Sequence, residues 1–262
     1  MSEQKPRLAM DIPQSRIILA ETALVDHDYE LSGPSRQALE RWDPRPGEII
    51  TVLDESRQSF RGRIVELSED TAKIHIFAKA DGPGNRVERE IILHQALPDR
   101  ERMELIIQKA TELGVWAIIP FKSARSISLQ EREHKQKKAH CWPRIALRAA
   151  KQCRRPDIPY LFPFCTFQES LSLARQSGLR IILWEKEQGG ISLADLVHRQ
   201  ADCKRISVMV GPEGGFTEDE VTVARQEGFE PLHLGPRILR TETASLAILS
   251  ILQFIIGDLG KK

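Results

Sequence analysis

The first third of the chain alternates short apolar runs with turn-forming residues. Pro and Gly interrupt it at residues 43–47 and 81–85. Runs this short, broken at such intervals, are typical of the strands of a small all-β unit. The apolar runs lie at residues 17–20, 49–53, 60–65, 72–77 and 87–93. The pattern therefore predicts a small β-barrel domain over residues 1–94.

The pattern becomes helical after Pro98. Apolar side chains then recur at steps of three and four from Met103 to Leu113, and the pattern ends at Gly114, a residue suited to a helix C-terminus. Farther along, short apolar runs alternate with helical segments, which is typical of a parallel sheet covered by helices. These runs lie at residues 116–120, 180–184, 206–210 and 231–234. We therefore predict an α/β fold with a second domain over residues 95–262.

Composition narrows the class of protein without identifying a partner. A chain of 262 residues can bury two modest cores, and 38 Lys and Arg against 37 Asp and Glu leave it almost neutral. The charge is nevertheless segregated, because eleven Lys and Arg but only two acids lie between Lys122 and Arg155. Such a basic stretch favours contact with RNA phosphates, and a merely solvated helix face is the alternative.

Signals for targeting and for metal binding are missing from the sequence. No apolar segment near the N-terminus resembles a signal peptide, and the longest apolar run, residues 244–256, is shorter than the roughly 20 residues of a spanning helix. We therefore expect a cytoplasmic protein that does not enter a membrane. We also expect reduced thiols and no metal site, because no Cys-x-x-Cys pair occurs among Cys141, Cys153, Cys165 and Cys203.

Two turns near the C-terminus carry the candidate chemistry. Gly211-Pro-Glu-Gly-Gly215 and Leu234-Gly-Pro-Arg-Ile-Leu-Arg-Thr-Glu-Thr-Ala244 each follow a short apolar run and precede a helical segment. Thr217 and Glu220 form a capping box that starts the helix after the first turn. Free backbone groups converge where a strand ends and a helix begins, so two such turns can form one pocket.

The first turn indicates a ligand other than a nucleoside triphosphate. It lacks the lysine of a phosphate-binding loop, and it contains Glu213, whose carboxylate would repel a polyphosphate. Backbone amides and a carboxylate suit a ligand that has an adenine edge and a positive centre, and S-adenosylmethionine has both. A tight turn that needs glycine only for a positive φ is the alternative.

The second turn brings Arg237, Arg240 and Glu242 close together in the chain, ahead of a helix that Thr241 or Thr243 could cap. A structural cap with a local ion pair would explain these residues without any ligand. Two polar clusters in consecutive strand-turn-helix units weaken that explanation, because packing requires neither of them.

Both turns, together with Asp99-Arg-Glu-Arg-Met-Glu-Leu-Ile-Ile-Gln-Lys-Ala-Thr-Glu-Leu-Gly114, resemble the bacterial 16S ribosomal RNA uridine-N3 methyltransferase family. This family is a branch of the SPOUT, or trefoil-knot, methyltransferases. The resemblance extends from about Asp99 to Gly260, whereas residues 1–94 match only loosely. It implies a knotted parallel-sheet domain, a PUA-like N-terminal barrel that binds RNA, and a homodimer in which the cofactor pocket borders the partner subunit.

The resemblance also implies a cofactor and its site. S-adenosylmethionine would lie in a bent form against both turns, and no metal is implied. The residues expected to bind it are Leu183, Gly211, Pro212, Glu213, Gly214, Gly215, Leu234, Gly235, Ile238, Leu239, Arg240, Thr243 and Ala244.

The expected reaction transfers the methyl group of S-adenosylmethionine to N3 of a uridine in 16S ribosomal RNA. Uracil N3 is mostly protonated at neutral pH, so its proton must leave, and the resulting enolate charge needs a nearby cation. We expect Arg240 to stabilise that charge and Glu242 to act as a base or an orienting group. Alignment of the donor carbon with the acceptor nitrogen would supply much of the acceleration.

The basic stretch suggests where RNA is bound. Arg144, Arg148, Lys151 and Arg155 recur at steps of four, three and four, so they can share one helix face and contact phosphates. The family more often has Glu at the place of Lys151 and Gly at that of Arg154. This chain is therefore more basic at this point than the family that it resembles.

Two rival functions fit parts of the same sequence. One is a SPOUT enzyme that methylates another RNA position, and the helix at residues 99–114 argues against it. The other is a ribosome assembly factor that binds RNA and has a vestigial pocket, and the two complete turns argue against that. His75, His94 and His233 are expected to be structural, because no nucleophile is paired with them.

Overall fold

The computed structural model describes residues 15–80, 89–126, 141–187, 192–199 and 203–259. These residues form two compact units. The N-terminal unit contains the described residues 15–80 and 144–159, and the C-terminal unit contains the other described residues.

As the sequence predicts, strands dominate the first part of the chain and strands alternate with helices after it, and the structure adds several short elements. The strands are β1 (His27–Leu31), β2 (Ile49–Leu53), β3 (Ser59–Leu67), β4 (Ala72–Lys79), β5 (Glu90–Ala96), β6 (Ala117–Lys122), β7 (Tyr160–Leu161), β8 (Cys165–Thr166), β9 (Leu179–Leu183), β10 (Arg205–Val210) and β11 (Glu230–Leu232). The helices are α1 (Gly33–Glu40), α2 (Arg100–Glu112), α3 (Trp142–Gln152), α4 (Phe167–Ala174), α5 (Leu193–Arg199), α6 (Glu218–Gln226) and α7 (Thr241–Ile255). No described helix is both long and apolar enough to cross a membrane.

The N-terminal unit is a four-stranded antiparallel sheet in the order β1-β4-β3-β2. The runs predicted as strands at residues 49–53, 60–65 and 72–77 are confirmed, whereas the run at residues 17–20 contributes only the isolated bridge of Ile18 with Leu53. Alternation along β3 buries one face, since Phe60 and Ile64 are inside the core. The core also includes Trp42, whose Nε1 donates to the Ser15 carbonyl at 2.7 Å.

The C-terminal unit is built on a parallel sheet in the order β11-β9-β10-β5-β6-β7, with β8 also paired to β6. The predicted α/β class with a parallel sheet is therefore confirmed. Strand β5 lies between β10 and β6 and pairs with both in parallel. Its buried run of Ile91, Ile92 and Leu93 shows no alternation, as expected for a strand covered on both faces.

The assignment of residues 87–93 to the N-terminal barrel was wrong for this reason. That apolar run belongs to β5, which is part of the parallel sheet, and the predicted boundary between residues 94 and 95 falls inside this strand. Continuous apolar runs are buried on both faces, whereas the half-buried strands of the N-terminal unit alternate. The lack of alternation at residues 91–93 is therefore the sequence signal that distinguishes β5 from the strands of the N-terminal unit.

Both predicted helix ends are confirmed. Thr217 Oγ1 accepts a hydrogen bond from the Glu220 N–H at 3.2 Å, and a carboxylate oxygen of Glu220 accepts one from the Thr217 N–H at 2.9 Å. Gly114 follows α2 with a φ of 77°, which glycine adopts without strain. The capping box sets where α6 begins beyond the carboxyl end of β10, at the edge of the sheet where the candidate site lies, whereas Gly114 ends α2 ahead of β6.

His94 is a structural residue, as the sequence suggested. It is fully buried in β5, where Nδ1 lies 2.8 Å from the Ser170 hydroxyl and Nε2 lies 2.9 Å from the Ser207 hydroxyl. Burial lowers the pKa of His94 to about 3, so the ring is neutral at physiological pH. Its two nitrogens are satisfied within the fold and carry no catalytic role.

Candidate active site

A cleft of about 510 Å³ opens at the carboxyl ends of the neighbouring strands β10, β9 and β11. Residues 210–215 and 232–241 form most of its wall. Ligands of parallel α/β folds bind at this edge, because backbone groups beyond the strand ends are free to receive them. The volume lies within the range of small-molecule sites, about 300–1,000 Å³.

The cleft brings together nearly all residues expected to bind the cofactor. They are Leu183, Gly211, Pro212, Glu213, Gly214, Gly215, Leu234, Gly235, Ile238, Leu239, Arg240 and Ala244. Thr243 is the exception, because its side chain is exposed on α7 and does not line the cleft. Glu242 does not line the cleft either, but it lies beside Arg102, which does. The two turns thus form one pocket.

Some lining residues were not identified from the sequence. Arg102 comes from α2, more than a hundred positions before the first turn, and nothing in its local pattern connects it to that turn. Glu185 follows β9, and His233 follows β11. The only available signal was position, since polar residues that follow parallel strands collect at one edge of the sheet.

Gly211 and Gly215 shape the first turn. A Cβ atom on Gly211 would lie 3.3 Å from the backbone of Gly215. Gly215 has a φ of 66°, and a Cβ atom there would lie 3.1 Å from a carboxylate oxygen of Glu185. Glycine is therefore favoured by close approach at one position and by left-handed backbone at the other. Arg125 holds the turn from outside by donating from Nη1 to the Gly214 carbonyl at 2.7 Å.

A buried set of hydrogen bonds ties this turn to the start of α7. Thr241 Oγ1 donates to the Gly211 carbonyl at 2.6 Å and accepts a hydrogen bond from Gln95 Nε2 at 3.1 Å. Ser245 Oγ donates to the amide oxygen of Gln95 at 2.6 Å. All three side chains are buried, so a lost partner would leave a polar group unsatisfied. The network connects β5, the first turn and α7 at the base of the cleft.

The helix after the second turn begins differently from the prediction. Neither Thr241 nor Thr243 caps it, because the N-cap position belongs to Arg240, whose side chain makes no capping hydrogen bond. The Thr241 hydroxyl is occupied by the buried contact with Gly211. Arg240 is exposed and lines the cleft, and its side chain forms no hydrogen bond or ion pair with any described residue. Its guanidinium is free to meet a ligand at the mouth of the cleft.

Charge at the mouth is organised around Arg102. Its Nη1 contacts a carboxylate oxygen of Glu213, and its Nε lies 3.7 Å from Oε2 of Glu242. Burial acts to raise the pKa of Glu213, but the Asp99 N–H and the Arg102 guanidinium outweigh it and hold the pKa below its usual value. Glu213 is therefore ionised at neutral pH.

The cleft combines exposed apolar surface with side chains of both charges. Ile238 lines it and is 86% exposed, so a ligand that covers this side chain removes apolar surface from water. Glu185 presents a carboxylate to the cleft that can offset a positive charge on a ligand, whereas the Glu213 carboxylate is paired with Arg102. The described residues contain no cluster of three or more His, Cys, Asp or Glu that could hold a metal ion.

The four basic residues expected to bind RNA divide into two pairs. Arg144 and Arg148, on α3, are exposed and have no ionic partner among the described residues. Lys151 Nζ instead lies 2.9 Å from a carboxylate oxygen of Glu48, and Arg155 Nη2 lies 3.0 Å from Asp157. Contact of the second pair with phosphate would require these ion pairs to open.

The fold and the cleft define a parallel α/β protein with a small-molecule site made of two turns at the strand ends. The family described as "RNA methyltransferase domain" matches residues 85–253, which include every strand of the parallel sheet. The chain belongs to this family, in the branch of the ribosomal RNA small subunit methyltransferase E proteins.

Individual relatives support this assignment along most of the chain. Ribosomal RNA small subunit methyltransferase E of Aquifex aeolicus is 36% identical over 237 residues, 80% of this chain and 96% of the relative. The protein of the same name from Bacillus subtilis is 36% identical over 168 residues, 63% of this chain and 66% of the relative. The crystal structure of the Neisseria gonorrhoeae protein of that name bound to S-adenosyl methionine is 32% identical, with a TM-score of 0.64, and covers 94% of this chain and 99% of its own.

Proposed function

We propose that this protein transfers the methyl group of S-adenosylmethionine to N3 of a uridine in 16S ribosomal RNA. The observation that carries this proposal is the glycine-lined cleft at the strand ends, in a chain whose relatives are named small-subunit ribosomal RNA methyltransferases. A relative of that name has been crystallised with S-adenosyl methionine. The cleft lies within the residues that match the RNA methyltransferase family.

The residues of the cleft fit S-adenosylmethionine. Bare backbone at Gly211 and Gly215 would receive the adenine edge, and Ile238 would cover its apolar face. The carboxylate of Glu185 would offset the positive sulfonium charge. When bound, the cofactor supplies a methyl group activated for in-line displacement.

The chain's own contribution to the chemistry is electrostatic. Removal of the uracil N3 proton leaves negative charge on the ring, and a cation held near that charge lowers the barrier. Arg240 is suited to this role, because it is exposed at the cleft mouth without an ionic partner among the described residues. Glu242 would act as an orienting group, since it lies 3.7 Å from Arg102 and outside the cleft wall.

The N-terminal unit would bind the ribosomal RNA. We place a PUA-like barrel there, and the trefoil knot of SPOUT methyltransferases around the second turn. Exposed Arg144 and Arg148 would contribute phosphate contacts, because neither is neutralised by a described acid. Such contacts release counterions, so RNA affinity should fall as salt increases.

A homodimer would complete the enzyme. Ile251 and Phe254 are three positions apart on α7, so they share a helix face, and they are 39% and 68% exposed. Apolar side chains this exposed on an already apolar helix are typical of an interface. We expect Phe254→Glu to dissociate the dimer, because the new charge would be buried in the interface.

Sedimentation velocity at low micromolar concentration measures this dissociation. Leu24→Glu is the matched control, since Leu24 is 56% exposed but lies in the N-terminal unit. The wild type and the control should sediment as dimers. A wild-type monomer with full methylation activity would contradict the dimer.

Mass spectrometry of 16S ribosomal RNA incubated with the purified protein and S-adenosylmethionine tests the proposed function. We expect a methyl group on N3 of one uridine, formed without added metal or ATP. Calorimetry in parallel should detect binding of S-adenosylmethionine but not of ATP. Tight ATP binding without any response to S-adenosylmethionine would reject the cofactor assignment, and a methyl group on another base would reject the target.

A further inference from the structure

Two arginines meet on the less buried face of the N-terminal sheet. Along β3, Arg61 alternates with buried Phe60 and Gly62, so it points away from the core. Thr51 of β2 lies directly opposite Arg61 in the antiparallel register. Arg61 Nη1 donates a hydrogen bond to the Thr51 hydroxyl at 2.5 Å. The Arg61 guanidinium is therefore held in a defined place.

The same threonine anchors the backbone of the second arginine. Thr51 Oγ1 donates to the carbonyl oxygen of Arg154 at 2.9 Å. The Arg154 side chain is exposed, and its backbone has a φ of 62°. Burial lowers the pKa of Arg61, and the positive charge of Arg154 lowers it further, so the charge of Arg154 acts on the Arg61 guanidinium.

No described acid compensates this pair of charges. Asp157 is engaged by Arg16 at 3.0 Å and by Arg155 at 3.0 Å. Among the residues that the structure describes, Arg61 and Arg154 take part in no ion pair. The positive charge is left for a ligand from outside the chain.

Arg154 is an unfavourable choice for stability alone. A residue other than glycine in the left-handed region bears a steric cost from its Cβ atom. The like charge of Arg61 adds repulsion, which a glycine at this position would also remove. An arginine here is explained by an anion, because a phosphate oxygen accepts the forked N–H donors of guanidinium groups.

We propose that Arg61 and Arg154 form a phosphate site that binds the backbone of the RNA substrate, separate from the cofactor cleft. The proposal rests on the proposed function only in taking RNA as the source of the phosphate. The site lies wholly in the N-terminal unit, whereas every residue of the cleft belongs to the C-terminal unit. The proposed site would recognise the negative charge of the phosphates and not the base sequence, because phosphates carry no base identity.

Arg154→Gly is the decisive variant, with Arg57→Gly as its matched control. Arg57 is also an exposed arginine with positive φ, at 66°, in the turn between β2 and β3. Each variant removes one charge and relieves left-handed strain, so neither should melt below the wild type. We expect Arg154→Gly to weaken binding of a mixed-sequence single-stranded RNA oligonucleotide about tenfold, as for one lost charged contact. The slope of log affinity against log salt should flatten by about 0.7.

Arg61→Gln supplies a second test, since glutamine can still donate to the Thr51 hydroxyl while lacking the charge. It should weaken RNA binding to a similar extent, and the double variant should lose less than the product of the two single losses, because both arginines hold one phosphate. Fluorescence anisotropy over a salt series measures these affinities. Calorimetry should give unchanged S-adenosylmethionine affinity in all variants.

Several outcomes would overturn the site. Equal weakening by Arg57→Gly would mean that only overall charge matters, and unchanged RNA affinity would mean that the pair is solvated. Stabilisation of the wild type by inorganic phosphate, lost in Arg154→Gly without a change in RNA affinity, would indicate a free-anion site instead. If the wild type binds S-adenosylmethionine but no RNA, the proposed RNA substrate fails and this site fails with it. If instead the wild type binds RNA but not S-adenosylmethionine, the cofactor assignment is rejected and this site stands.

Discussion

Arg240→Ala is expected to lower the rate of methyl transfer by about 10² or more, the scale for losing one charge-stabilising donor. The reason is that Arg240 lines the cleft mouth with its guanidinium free of described partners, so its charge is available to the deprotonated uracil. The affinity for S-adenosylmethionine should change by only a few-fold, because an exposed side chain at the mouth contributes little to a ligand held by backbone.

Single-turnover methylation and calorimetry separate these two effects. Arg237→Ala is the control, because Arg237 is also exposed and also lines the cleft, and it removes the same charge three positions earlier. We expect the control to retain most of its activity. If Arg240→Ala lost cofactor binding in proportion to rate, Arg240 would be a pocket residue and not a catalytic one.

Gly215→Val is expected to reduce S-adenosylmethionine affinity about tenfold, since left-handed backbone costs about 1–2 kcal/mol for residues with a Cβ atom. The backbone at Gly215 has a φ of 66°, and a Cβ atom would lie 3.1 Å from a carboxylate oxygen of Glu185. The turn would then have to adopt another conformation, and its amides would move away from the ligand.

Gly214→Ala is the matched control for this variant. Gly214 does not have a positive φ, and a Cβ atom there would lie 3.2 Å from Arg125, whose flexible side chain can shift. Calorimetry should therefore find a smaller loss than for Gly215→Val, and thermal denaturation should detect any loss of fold in either variant. Equal affinity in the wild type and Gly215→Val would mean that this turn does not contact the cofactor.

Local patterns located the elements well where one face of an element is buried. Two helix ends were predicted correctly, because the contacts that form them span only a few residues. They are the capping box of Thr217 and Glu220 at the start of α6 and Gly114 at the end of α2. Strand β5 was found but assigned to the wrong sheet, because the neighbours of a strand are set by residues far away in the chain. Helices α1 and α4 were not predicted as elements of their own.

In the candidate site, too, the features set by local sequence were predicted and those set by distant residues were not. Both turns follow strands of a parallel sheet, so the prediction that they form one pocket could be made from their order. Arg102 was missed because α2 reaches the first turn only through tertiary packing. Lys151 and Arg155 were expected to bind RNA, yet the acids beside them in the fold, Glu48 and Asp157, are distant or inconspicuous in the sequence.

The amino-acid sequence by itself determined the class of fold, the two turns and the family, because each depends on local periodicity or on a continuous motif. Only the tertiary structure decided which charges are free. Antiparallel pairing of β2 and β3 places Arg61 opposite Thr51, and the segment after α3 brings Arg154 to them from 103 positions after Thr51. Charge acts over distances in space, so its consequences appear only once the chain has folded.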